Sequence, residues 1–516
     1  MAQSDREKQA ATDETGTQEK AERSAYGQAV TRLDFHLGPL GASLPMLLFI
    51  VLAISLCLGL AEHGAPDETG LILAAVAGLV GGMFLCRSGW GDYCQAVFDG
   101  MSKPVGVIAI VCWIWAGMFA KVLAAGGLVK GLVWLGAATG FSGAAFVVVT
   151  FLLAAVFATA VGTGYGTTIA FCELMYPAGI VLGAHPVVLF GAILSGAAFG
   201  DNLAPVSDTT IVSAVTQETD VPGVVRSRFK YAVSAALPAV VLFALFGGGG
   251  AGRGDAGSIV AGIADPAGLI MLVPFALVIY LALSGRHIIV SITWGILVAV
   301  GLILLSNLDP LAGLLGGSLA SPGAILAVDV EQRAVTGALA DGVNGFIKMG
   351  ILILFIVTAG HIMAVGGALG AIKKGLLRLI GSSVRRAEVA IFSAVASLNV
   401  FITVNTAAEI AAAPFVSDIG KTFRLHPYRR ANFLDAVSSA FGYIFPWSGG
   451  VLIGVATLRS LTAHYQFITV PGPTTVWPYV FHGWLLAAVM LLAALSGFGR
   501  RFVGSRGEPV RHLPGA

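Results

Sequence analysis

Long apolar runs with almost no charge follow one another along this chain, and nothing else constrains its fold as tightly. The runs are 44–61, 70–86, 104–125, 186–217, 229–250, 266–284, 287–306, 343–365, 431–458 and 477–497. A stretch of about 18–20 apolar residues is long enough to cross a bilayer as a helix, and a helix satisfies its own backbone where no water is present. About ten spanning segments are therefore expected, in an all-α polytopic membrane protein. Composition agrees: 56% of the chain is hydrophobic and 11% charged, against about 25% charged in soluble domains. The net charge of +2 argues for no nucleic-acid partner, because the charges sit in loops and termini. The five cysteines (Cys57, Cys86, Cys94, Cys112, Cys172) are odd in number and form no CxxC pair, so they read as small apolar fillers.

Lysine and arginine bias sets the orientation. With the amino terminus inside, the loops expected on the cytoplasmic side carry Arg87, Lys103, Arg226, Arg228, Lys230 and Arg286. Lys373, Lys374, Arg378, Arg385 and Arg386 follow on that side, then Lys421, Arg424, Arg429 and Arg430, then Arg500, Arg501 and Arg506. The opposite loops hold Glu62, Asp67, Glu68, Asp309, Asp329 and Glu331. A multi-pass protein of the plasma (inner) membrane with both termini cytoplasmic is expected. Residues 1–43 read as a disordered polar cytoplasmic tail, without the basic-then-apolar pattern of a signal peptide.

Sliding the sequence against itself by about 241 residues brings out a repeat. "FDGMSKPVGVIAIVCWIWAGMFAKVLAAGGL" (98–128) falls on "ADGVNGFIKMGILILFIVTAGHIMAVGGAL" (340–369), and His185-Pro186 on His426-Pro427. "GDNLAPVS" (200–207) falls on "GYIFPWS" (442–448) with one residue dropped. The copies run in opposite directions through the membrane, which predicts an inverted-topology repeat with discontinuous helices. The organisation expected is 44–97 as N-terminal helices, 98–217 as the first repeat, 218–339 as linking helices with an external loop, 340–458 as the second repeat, and 459–516 as a last helix with a basic tail. The apolar stretches 141–183 and 387–416, each broken in the middle by small polar residues, read as re-entrant hairpins or crossing pairs. Segments 126–139 and 367–383 read as interfacial amphipathic helices.

Inverted repeats bind near the bilayer midplane, where broken helices expose backbone to the solute. Two polar breaks per half fit that role: "VGTGYGTT" (161–168) and "GDNLAPVSDTT" (200–210), then "FITVNTAAE" (401–409) and "GYIFPWSGG" (442–450). Gly162, Gly164 and Gly166 permit backbone conformations closed to other residues. Pro205 and Pro446 remove a donor and free a carbonyl one turn earlier. Freed carbonyls and the oxygens of Asn202, Ser207, Thr209 and Thr163 are hard donors suited to a small cation. Asp201 and Asp208 are the sharpest signal, since a carboxylate at the midplane costs roughly 2.5–3.5 kcal/mol and is seldom placed there without use. Such a group holds either Na⁺ or a proton. Asp208 also reads as the N-cap of the segment it opens, and Asp201 as a partner for some basic residue.

In the second half Asn405, Thr406, Glu409, Asp435 and Ser448 are the candidate site residues. Glu173 lines the path or pairs locally. Lys121 reads as a side chain snorkelling to the outer interface, His185 and His426 as turn residues, and His361 as a core histidine. Trp113, Trp115, Trp134 and Trp477 fit interfacial anchoring or packing. No Walker A, HExxH, GxSxG or dinucleotide fingerprint is present, so neither an enzyme nor an ATP-driven pump is expected, and no cofactor.

At "GDNLAPVSDTTIVSA" the chain resembles the NhaC-type Na⁺/H⁺ antiporters of the ion transporter superfamily. Their first half is similar, a GDN-x-x-P-x-SDT string after a Thr/Gly-rich stretch like "GTGYGTT". The second half departs: where such chains carry SR-x-x-ED before Pro-Trp-Asn, this one has "RRANFLDAVSSAFGYIFPWSGG", keeping Asp435, Pro446 and Trp447 but with Leu434 for Glu and Ser448 for Asn. The resemblance implies Na⁺/H⁺ antiport by alternating access, with Na⁺ held by Asp201 and Asp208. Relatives that exchange small organic acids leave a Na⁺- or H⁺-coupled carrier of an organic solute as the alternative. The partners expected are small cations, protons, lipid and such a solute, with a homodimer left open.

Overall fold

The computed structural model describes residues 32–59, 68–205, 207–249, 264–284, 286–308, 319–331, 333–345, 347–380, 383–402 and 404–511. Most of the expected polar tail and the loop acids Glu62, Asp67 and Asp309 lie outside them. The tail's last residues are ordered differently from expectation. Leu33 and Phe35 are buried and the first helix begins at Pro39, because Phe35 bridges to Cys86 and its ring meets Tyr93 edge-on.

The described chain is helical apart from two small hairpins, Ala327–Asp329 with Ala334–Thr336 and Phe502–Val503 with Pro509–Val510. It opens with α1 (Pro39–Gly59), α2 (Glu68–Leu85) and α3 (Trp90–Met101). The first repeat follows as α4 (Pro104–Ala125), α5 (Leu128–Thr139), α6 (Ala144–Val161), α7 (Gly164–Val181), α8 (Pro186–Leu203) and α9 (Asp208–Thr216). Then come α10 (Val221–Phe246), α11 (Leu272–Leu283), α12 (Ile288–Leu305) and α13 (Ala338–Asn344). The second repeat is α14 (Ile347–Val365), α15 (Ala368–Ile380), α16 (Val384–Phe401), α17 (Asn405–Thr422), α18 (Pro427–Phe441) and α19 (Gly449–Leu461), and α20 (Phe481–Ser496) closes the bundle.

The repeat legible in the sequence recurs helix for helix. Starts at 104, 128, 144, 164, 186 and 208 are answered at 347, 368, 384, 405, 427 and 449. Chain chemistry recurs with them. Gly127 and Gly367 take left-handed conformations before α5 and α15, with φ of 88° and 79°, and Pro186 and Pro427 start α8 and α18 at the position where no N–H is needed. Contacts are exchanged between the halves, as a two-fold axis requires: α3 packs on α14 and α13 on α4, while α7 packs on α19 and α9 on α17. Glycines permit the first two crossings. A Cβ on Gly100 would lie 2.8 Å from the backbone of Thr358, and one on Gly342 would lie 2.5 Å from that of Met118. Outside the repeats, α10 and α20 play matching parts, each lying against both α8 and α18.

Among the described residues, six helices are long and apolar enough to cross a membrane, not the ten or so expected: Pro39–Leu56, Gly106–Ala125, Ala144–Val161, Pro186–Thr216 taken across its break, Val221–Phe246 and Ile288–Leu305. The pair Pro473–Tyr479 and Phe481–Ser496, bent by 55°, would make a seventh. Others among the expected runs fall on shorter apolar helices such as Thr69–Leu85, Gly350–Val365 and Gly449–Leu461. Residues 128–139 do form a helix, which buries Leu128, Val129, Leu132 and Val133 and leaves Trp134 and Leu135 outward.

Several charged residues expected in cytoplasmic loops are instead inside helices. Arg228 is fully buried in α10, and Arg429 lies buried at the start of α18. Each is tolerated because a buried guanidinium finds carboxylate and carbonyl acceptors. Arg429 is paired with Glu388 at 2.9 Å and donates to the Ala493 and Phe498 carbonyls. Arg430 donates to the Gln217 carbonyl. Lys121 does not snorkel: it is 8% exposed and its Nζ lies 3.0 Å from Glu173. That ion pair corrects the reading of Glu173 as lining a path, for it ties α4 to α7.

Candidate functional site

The four polar breaks converge. A cavity of about 670 Å³ is lined by Gly162, Thr163 and Gly164 from the α6–α7 break, and by Asp201, Pro205 and Asp208 from the α8–α9 break. Val404, Asn405 and Thr406 come from the α16–α17 break, and Tyr443 from the turn after α18. Each break follows from local chemistry. Gly162 ends α6 in the left-handed region at φ 76°, and Thr163 caps α7 by accepting the Gly166 N–H. Pro205 has no N–H to continue α8, so α9 starts afresh at Asp208. Helices α7, α9 and α17 all begin at this cavity, while α6 and α8 end near it, so both unpaired N–H and unpaired C=O groups gather there.

Asp201 is 3% exposed and held by three donors. Ser207 Oγ donates to Oδ1 at 2.8 Å, and Asn405 Nδ2 and Tyr443 Oη donate to Oδ2 at 2.8 Å and 3.1 Å. Asp208 faces the cavity more openly. Its Oδ2 accepts from Thr406 Oγ1 at 2.6 Å and its Oδ1 from the Thr209 N–H at 3.0 Å. The two acids are thus joined across the repeats, with both carboxylates from the first and the amide and hydroxyl that hold them from the second. Among the described residues neither acid forms an ion pair with lysine or arginine. The alternative of a basic partner for Asp201 is therefore replaced by neutral donors.

Gly164 makes this geometry fit. It is the first-repeat counterpart of Asn405, and a Cβ there would overlap the Tyr443 hydroxyl and come within 3.1 Å of the Asp201 Cβ. Where the second repeat places an amide, the first must place nothing.

The other candidates separate. Ser207 and Thr209 are buried, their hydroxyls 2.9 Å apart. Thr163 lines the cavity as a helix cap. Asn202 is fully buried beside the site, with no side-chain partner among the described residues, and its carbonyl accepts from Arg228 at 2.6 Å. Asp435 is fully buried and ion-paired with Arg228, and also accepts from Ser439 Oγ at 2.8 Å and Thr210 Oγ1 at 3.2 Å. It therefore joins α10 to α18 and does not line the cavity. Ser448 is the N-cap residue of α19, and neither it nor Pro446 lines the cavity. Glu409 is fully buried one turn beyond Asn405.

Tyr443, inside the "GYIFPWS" break, carries no local sign of a site role, because a tyrosine among glycine and proline looks like packing. The same holds for Trp113 and Tyr165 as cavity walls, and for Arg286 and His287, which line the same cavity ahead of α12. Hard oxygen donors, paired carboxylates and an open volume suit a small cation or a cationic group. Among the described residues no cluster of three or more His, Cys, Asp or Glu suited to a transition metal occurs.

Comparison with known proteins gives a consistent picture. Residues 15–248 and 255–484 match the model of the Na⁺/H⁺ antiporter family. An arginine/ornithine antiporter, ArcD of Halobacterium salinarum, is 25% identical over 417 residues, covering 78% of this chain and 84% of that protein. A malate-2H⁺/Na⁺-lactate antiporter of Bacillus subtilis is 28% identical over 209 residues, 40% of this chain and 44% of that one. The Na⁺/H⁺ antiporter NhaC of Alkalihalophilus pseudofirmus is 29% identical over 189 residues, 36% of this chain and 38% of that one.

Proposed function

Because the chain belongs to the Na⁺/H⁺ antiporter family, we propose that it exchanges Na⁺ for protons by alternating access, with Asp201 and Asp208 as the groups for which the two ions compete. The observation that carries this reading is the meeting of four helix breaks around two carboxylates that, among the described residues, form no ion pair with lysine or arginine. A cation between them would supply the positive charge that no lysine or arginine pairs with them among the described residues, and a proton on either acid would remove its site. Asn202, Ser207, Thr209 and Thr163 supply further oxygens within or beside the site. The chain sits in the cell membrane with both termini cytoplasmic, as its loop charges favour. Purified protein in vesicles loaded with a pH dye tests this: Na⁺ pulses should drive proton movement. No response to Na⁺, Li⁺ or K⁺ would refute it.

One observation favours a second reading. A volume of about 670 Å³ is far larger than a bare cation needs and lies in the usual range for small-molecule sites. Trp113, Tyr165 and Tyr443 supply aromatic walls suited to an ammonium or guanidinium group. Asn405 and Thr406 already donate to Asp201 and Asp208, so they are poor hosts for a solute carboxylate. A small amine or amino acid fits better than an organic acid, a class that accords with the arginine/ornithine relative. Counterflow of labelled basic amino acids with no Na⁺ response would select this reading over the first.

A further inference from the structure

Five carboxylates are deeply buried among the described helices, and four of them are partnered. Asp201 has three donors, Asp435 has Arg228, Glu388 has Arg429 and Arg500, and Glu173 has Lys121. Glu409 is the exception. It is fully buried, and neither of its carboxylate oxygens has a hydrogen-bond partner among the described residues. It does not line the cavity.

Its surroundings are as telling as its isolation. Glu409 lies on the same face of α17 as Asn405, about 6 Å further along the axis, and Asn405 is the residue whose amide holds Asp201. The charged groups that act on it electrostatically are Asp435 on α18, Arg228 on α10, Asp208 on α9 and Asp201 on α8. Helix α16, which also packs on α17, carries Arg385, Arg386 and Glu388 in its first two turns, far from its end at the α16–α17 break. On α17 itself, Asp418 and Lys421 lie two turns or more beyond Glu409. Four acids and one base thus share the region, and Asp435 already engages that base. A carboxylate with no donor, inside a membrane protein and beside three other acids, is not sustained as an anion.

We propose that Glu409 is a proton-binding site separate from the cavity, carrying one proton per transport cycle in addition to any displaced from Asp201 and Asp208. The inference rests on the antiport reading above and deepens it. A cation seated at Asp201 and Asp208 brings positive charge beside Asn405, one turn from Glu409 on α17, which favours the Glu409 anion, and the proton leaves when alternating access opens that face of α17 to water. Cation entry and proton exit are coupled across a helix face, without sharing ligands.

Glu409→Gln keeps the shape and removes the exchangeable proton. In vesicles measuring radioactive Na⁺ uptake together with proton movement, Glu409→Gln is expected to keep Na⁺ uptake while moving one proton fewer per Na⁺. Glu409→Asp is expected to restore the ratio. An unchanged ratio in Glu409→Gln overturns the proposal. Infrared spectra of the solubilised protein at neutral pH give a readout independent of transport: a protonated-carboxyl C=O band is expected in the wild type and weaker by one carboxyl in Glu409→Gln. A band equal in both overturns the proposal, even if the wild type moves no Na⁺ and the antiport reading itself has failed.

Discussion

Replacing Asp208 by Asn removes one of the two negative charges facing the cavity while keeping the side-chain shape. The Oδ1 atom still accepts the Thr209 N–H, and the Thr406 hydroxyl, 2.6 Å from Oδ2, rotates to accept from the new amide. Local hydrogen bonding survives, so the variant should fold and its defect should report charge alone. Two unit charges about 4 Å apart attract by about 4 kcal/mol at an effective dielectric of roughly 20. Because Asp208 is open to the cavity, further solvent screening removes about half of that, leaving about 2 kcal/mol. Half-saturating Na⁺ in Asp208→Asn should therefore rise by roughly 30-fold. Dye-loaded vesicles titrated with Na⁺ at fixed pH measure it directly. A half-saturating concentration within about threefold of wild type would show that Asp208 does not hold the cation, and the competition scheme would fail with it.

Gly164→Ala forces the Tyr443 hydroxyl away from Asp201, so thermal stability should fall by about 1–3 kcal/mol with loss of transport; a wild-type melting curve would contradict the close approach. Arg228→Met strands Asp435 in the interior and should cost about 3–5 kcal/mol, of which Arg228→Met with Asp435→Leu recovers a large part; equal melting of single and double variants would argue against a tight pair. At the α9–α10 turn, Asp220 accepts from the Tyr428 hydroxyl at 2.6 Å, and that bond, followed by the Gly223 N–H, holds its carboxyl below the usual range. A depressed folded value means stability that is complete above the ordinary aspartate range and lost as pH falls through the lowered one. Tyr428→Phe should thus shift the acid limb of thermal stability to higher pH, and an unmoved limb would rule this out.

Much of the architecture was legible because lipid makes strong local demands. A spanning helix must be apolar over its whole length, and an interruption must be written in glycine, proline and small polar residues. For that reason the spans, the α4–α9 and α14–α19 repeat and all four breaks can be read from residues 98–128, 340–369 and the strings around Gly162, Pro205, Asn405 and Pro446. Asp201 and Asp208 stood out for the same reason, as charges where charge is costly. Charge counting along the chain misled where partners lie far apart in sequence. Arg228 and Arg429 look like loop residues beside other basic residues, yet each is buried against an acid from another helix.

By itself, then, the sequence determined the membrane class, the doubled design and the places where its helices stop, since these depend on each segment's own solvation and backbone chemistry. Only the tertiary structure decided which acids stand together and which are neutralised. Asp435 and Glu409 are both intramembrane acids of the second half, but Arg228 reaches the first and, among the described residues, no donor reaches the second. The bond from Asn405 to Asp201 spans 204 residues, and that from Tyr443 spans 242. Whether a buried carboxylate is paired, bridged or left alone depends on which distant helix packs beside it, and no local pattern of residues carries that information.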